Sequence, residues 1–169
     1  MTGLRRLLVA TVGAASLVAF GTSSAAADEG GTLISFHSMT PVTGAAVGTF
    51  NDRGIKGGGL PWAITSGSGT VDRDGNVHVT VTGLVIPVPP LNGVNPATSF
   101  GVTVSCITKD GVVNLRTATA PATPAGNSTI NGTVALPHPC QHPIVFVTSA
   151  GGSWFAMSNR NAEEDEDGD

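Results

Sequence analysis

Tyrosine is absent from the 169 residues, and between Gly30 and Arg160 so is glutamate. Only 12% of the chain is charged and 5% aromatic. The acids of that central stretch are Asp52, Asp72, Asp74 and Asp110, each in a segment that reads as a turn or loop. Four scattered aspartates do not supply the paired carboxylates that glycoside hydrolysis needs. The basic residues there are Arg53, Lys56, Arg73, Lys109, Arg116 and Arg160. They form no stripe, so nucleic acid is not an expected partner. No serine sits in a G-x-S-x-G elbow. No apolar run beyond residue 27 is long enough to span a bilayer, and no segment there carries a helical apolar period.

The ends of the chain carry the charge contrasts. Arg5 and Arg6 precede the apolar run Leu7 to Phe20, and small residues follow to Ala25-Ala26-Ala27. That order predicts a secretory signal peptide over 1–27, cleaved after Ala27, and an extracellular protein. At the other end Glu163, Glu164, Asp165, Glu166, Asp167 and Asp169 crowd into nine residues. Such a density of like charge predicts a disordered acidic tail over 161–169. One domain, 28–160, lies between them.

Within that domain valine and threonine, which suit pleated strands, alternate with glycine and proline, which suit turns. The clearest stretch is Gly69 to Pro87. There Val77, Val79 and Val81 fall on one face of a strand and His78, Thr80 and Thr82 on the other. Asp74-Gly75 supplies the turn before it. Other expected strands are Thr32–His37, Ala45–Phe50, Leu60–Thr65, Phe100–Thr108, Val112–Thr117, Ser128–Leu136, Ile144–Thr148 and Trp154–Met157. Ile144–Thr148 is apolar on both faces and reads as central. Ser38–Gly44 reads as a turn, Asn51–Gly59 as a flexible glycine loop, and Pro137–Pro143 as a rigid extended link. The fold class is therefore all-β: a single antiparallel β-sandwich or barrel of about eight to ten short strands. Its expected core is Val79, Val81, Phe100, Val104, Val145, Val147 and Trp154.

The segments GGGLPW at Gly57–Trp62, GLVIP at Gly83–Pro87 and IVFVTSAGGSWFAM at Ile144–Met157 resemble a set of secreted actinobacterial β-domain proteins. The resemblance spans about Gly30 to Asn159. It implies export and one β domain, and it brings no assigned activity.

The chemistry-bearing residues are few. Cys106 and Cys140 are the only cysteines, and in an exported chain an even pair reads as a disulfide. His138, Cys140 and His142 alternate as H-x-C-x-H, a pattern of metal-ligand types. Against a metal site stand the surrounding prolines, which favour three-residue periodicity, and the disulfide, which consumes the thiol. Asp72, Asp74 and Asn76 echo a calcium loop. Valine and glycine occupy the positions where that loop needs glycine and glutamate. His37 and His78 are the candidate bases of a hydrolase. Trp62 and Trp154 read either as core or as a platform for a sugar ring. No cofactor is expected. The function expected from these features is a secreted, non-enzymatic β-domain that binds a protein, glycan or cell-envelope partner. The alternatives are a small secreted hydrolase and an extracytoplasmic metal-binding protein.

Overall fold

Alternation of apolar and polar side chains along Asn76–Thr82 sets one face of a strand toward a core and the other toward water. The same pattern recurs along the chain. In the computed structural model, which describes residues 31–159, it builds ten strands. They are β1 Thr32–Phe36, β2 Met39–Pro41, β3 Ser66–Asp72, β4 Asn76–Thr82 and β5 Ser99–Thr108. Then come β6 Gly111–Arg116, β7 Ala120–Pro121, β8 Ser128–Thr133, β9 Gln141–Thr148 and β10 Trp154–Ser158. Every pairing between strands is antiparallel. A four-stranded sheet runs in the order β1-β3-β4-β8, and a larger sheet in the order β2-β10-β9-β5-β6, with β7 paired to β5.

The two sheets pack face to face as a β-sandwich. The smaller sheet contributes Phe36, Val71, Val79, Val81 and Ile130 to the interior. The larger contributes Phe100, Val102, Val104, Val145 and Val147, all with essentially no exposed surface. Each such side chain stabilises the fold by roughly 1.5–3 kcal/mol relative to leaving it in water. All seven expected core residues are buried. β9 lies between β5 and β10, so Ile144–Thr148 is central in its sheet as its apolar character requires.

The β3–β4 hairpin turns where Asp74-Gly75 directs it. Gly75 has φ +86, and a Cβ there would collide with the Val134 carbonyl oxygen, so only glycine fits. Asp72 clamps the turn by accepting hydrogen bonds from the backbone N–H and side-chain amide of Asn76, both at 2.8 Å. Cys106 of β5 and Cys140, just before β9, are joined by a disulfide with Cα atoms 4.9 Å apart. It ties β5 to the link that precedes its neighbour β9.

Four local expectations are corrected. Residues 45–50 form no strand: a 3-10 turn, Gly44–Ala46, closes through Ala46 N–H to Thr43 C=O and Val47 N–H to Gly44 C=O. The expected turn Ser38–Gly44 contains β2. Residues 60–65 pair irregularly, with Trp62 N–H bonded to Val42 and Ala63 N–H to Val85 instead of one partner strand. Finally, β9 begins at Gln141, inside the expected proline link. The predicted signal peptide and acidic tail lie outside the described residues. Among the described residues, no helix is long and apolar enough to cross a membrane.

Candidate functional site

The tryptophans proposed as a sugar platform are both buried, at 3% and 4% exposure. Trp62 stacks on Phe155 with ring centroids 4.0 Å apart, and Phe100 meets both edge-on. Trp154 packs edge-on against Phe146. Neither ring offers a face to solvent. His138 lines a recess of about 630 Å³ with Arg73, Asp74 and Leu136. His142 is the second residue of β9, and its carbonyl oxygen accepts a 2.8 Å bond from Arg53. The Cys140 sulfur is in the disulfide. Among the described residues, no three His, Cys, Asp or Glu are grouped to hold a metal.

His37 is exposed. His78 stands on the outer face of the smaller sheet, where its Nδ1 and Asn131 Oδ1 are 2.6 Å apart. Asp72 lines the same shallow recess, but its carboxylate is engaged by Asn76. The Asn76 side-chain amide, with the backbone N–H groups of Asn76, Asp74 and Gly75, holds the Asp72 carboxyl below the usual carboxylate range against the opposing effect of desolvation. This carboxylate serves the turn. Threonines line the recess, and no serine does.

A different place gathers polar groups that have no work in the fold. It lies on the outer face of the larger sheet. Directly opposed residues in antiparallel strands share a face. Thr103 of β5 therefore stands in one row with Phe146 of β9 and Arg116 of β6. Gly101, Thr148 and Trp154 form the next row. Three buried side-chain polar atoms of the described residues lack a hydrogen-bond partner: Thr103 Oγ1, Thr148 Oγ1 and Trp154 Nε1. All three belong to these two rows. A buried polar group without a partner costs about 1–3 kcal/mol, so three in two neighbouring rows single out this face of the sheet.

The roof over these rows is the segment Phe50–Lys56. Its ends bridge to each other, and Asn51 folds it by accepting the N–H groups of Arg53 and Ile55, both at 3.0 Å. Arg53 fastens it to the sheet, with Nη1 reaching Ser105 and Nη2 reaching His142 O, while the Asn114 amide donates to Arg53 O at 2.8 Å. The following glycines were expected to be mobile. Instead Gly57 and Gly58 are buried, and their N–H groups bond Thr49 and Trp154. A Cβ on Gly58 would lie 2.8 Å from Trp62 Nε1. Glycine is used here for close approach, and the loop is held.

Between this roof and the 149–153 turn lies a recess of about 340 Å³. Thr103 is among its walls, with Asn114, Arg116, Lys56 and Ser153, and Phe50 stands at it 71% exposed. Arg116 is oriented by donating from Nη2 to the carbonyl oxygens of Ala150 and Ser149, at 2.7 and 3.3 Å. Among the described residues, no carboxylate lines the recess. The arrangement can stack a ring, donate several hydrogen bonds and meet negative charge.

No family model matches the chain, and no curated protein or solved structure matches it.

Sequence reasoning did not find this site. Phe50 ends the strand expected over Ala45–Phe50, although it abuts the turn-forming Asn51-Asp52 and an aromatic residue there is a recognisable signal. Thr103 was read as an ordinary strand residue. That its hydroxyl is buried without a partner depends on the loop above it, which no spacing reveals.

Proposed function

We propose that this chain is an exported, non-catalytic binding module of the cell surface that takes a glycan on the outer face of the larger sheet. The observation that carries the reading is an open recess with an exposed aromatic ring, Phe50, walled by Thr103, Asn114, Lys56 and Arg116 on a face whose two neighbouring rows hold the unpartnered side-chain atoms Thr103 Oγ1, Thr148 Oγ1 and Trp154 Nε1. Saccharide sites combine such a ring with convergent donors and hydroxyls on a preformed frame. The recess volume is of ligand-site order. The Cys106–Cys140 disulfide supports an oxidising compartment, in keeping with the charged and apolar N-terminal segment of the sequence. The resemblance to secreted actinobacterial β-domain proteins agrees with export.

The test is retention of the mature protein on polysaccharide purified from the cell envelope. Wild type should be retained, and Phe50→Ala and the near-isosteric Thr103→Val should each lose most of it while melting within a few degrees of wild type. Undiminished retention in both variants would refute the site. Turnover of an ester, peptide or glycoside substrate, abolished in a folded His78→Ala variant, would put the hydrolase reading first.

A further inference from the structure

We infer that the glycan held by this recess is acidic, with an anionic group at Lys56 and Arg116 and a sugar ring against Phe50. The inference rests on the binding site proposed above and narrows its ligand. Five basic residues lie in the described part of the chain: Arg53, Lys56, Arg73, Lys109 and Arg116. Three of them belong to this face. Lys109 is spent on Asp110, at 2.9 Å, and Arg73 lines the recess near His138 on the far side of the β3–β4 turn. Neither Lys56 nor Arg116 has a carboxylate partner among the described residues. Both are exposed, one on the roof and the other on the edge strand, so they flank the same opening.

The carboxylates of the described residues are placed elsewhere. Asp72 and Asp74 sit at the β3–β4 hairpin and Asp110 at the β5–β6 hairpin. Asp52 is in the roof loop but not among the walls of the recess. Among the described residues this opening is therefore cationic, which favours an anion there. The guanidinium of Arg116 is already fixed by the two turn carbonyls, and Gly152 lets it lie close: a Cβ there would be 3.0 Å from Nη1. Its fork is therefore presented at little entropic cost, which favours a planar carboxylate or a phosphodiester oxygen pair. Thr103 is among the walls of the same recess, and its hydroxyl can both donate and accept a hydrogen bond.

The experiment is calorimetric titration of the mature protein at two ionic strengths with three probes of matched length. These are an oligogalacturonate, a neutral malto-oligosaccharide, and an oligomer of phosphodiester-linked polyol sugars. The expected result is binding of an anionic probe that weakens with salt, with little binding of the neutral one. Lys56→Gln and Arg116→Gln should each weaken it about tenfold, the size of one lost charge-assisted hydrogen bond, while Arg73→Gln changes nothing. Preference between the two anionic probes identifies the carboxylate or the phosphate as the source. Equal binding of the neutral probe, lost in Phe50→Ala but kept in Lys56→Gln and Arg116→Gln, would overturn the charge inference and leave the site standing. Binding of no probe, or binding insensitive to Phe50→Ala, would overturn both.

Discussion

Removing the Cys106–Cys140 bond should cost more than any surface change in this chain. The bridge spans 34 residues. By chain entropy, closing a loop of that length restricts the unfolded state by about 3.8 kcal/mol. For a domain of this size that corresponds to a fall in Tm of roughly 10–15 °C. The two cysteines are not equivalent. Cys106 is fully buried on the inner face of β5, whereas Cys140 is only partly buried in the link before β9. Cys140→Ala should therefore show the loop-entropy loss alone, and Cys106→Ala that loss plus about 1 kcal/mol for the space left in the core. Calorimetry of both single variants and the double variant, with wild type in the presence and absence of reductant, reads these quantities. Native, unreduced wild type should not react with iodoacetamide. A double variant melting within about 3 °C of wild type would refute the reasoning, because the expected loss is several times larger.

Val147→Asp should destabilise by about 4 kcal/mol or more, since it places an unpaired charge in the sandwich interior. Thr80→Asp, on the outer face of β4, should cost less than about 1 kcal/mol, and urea midpoints compare the two. Gly75→Ala should cost about 2 kcal/mol or more, because the residue has φ +86 and its new methyl meets Val134. Asp72 gives a pH signature. Its folded pKa lies below the ordinary value, so its contribution is complete above about pH 4 and is lost as pH falls through the lower folded value. The stability difference between wild type and Asp72→Asn should therefore shrink from pH 6 to pH 2, and a constant difference would show that the carboxylate is not engaged.

The sandwich was legible where local rules act alone. Val77, Val79 and Val81 alternate with His78, Thr80 and Thr82, and no neighbour is needed to assign the faces. Asp74-Gly75 and Asp110-Gly111 mark hairpins because the turn chemistry is carried by the residues themselves. The disulfide followed from compartment and cysteine number. What escaped depends on contacts distant in sequence. Residues 57–59 read as flexible because three glycines are free in isolation; only the packing of Ala46, Trp62 and Phe155 shows that Gly57 and Gly58 admit neighbours. Trp62 and Trp154 offered two roles, and the choice between them rests on which strands cover them. The roof over Thr103 is fastened by Arg53 to residues 52 and 89 positions away, a relation that no motif encodes.

Nitrogen-15 NMR of the mature domain, titrated with the oligosaccharide that binds it, tests the binding face most directly. The chain has two tryptophans, so two indole N–H signals report on opposite sides of the larger sheet. The expected result is a shift of the Trp154 indole and of the amides of Phe50–Lys56, Thr103, Asn114–Arg116 and 151–153, while the Trp62 indole stays still. Shifts confined to His78, Thr129 and Asn131 on the smaller sheet, with the Trp154 indole unmoved, would contradict the proposed site.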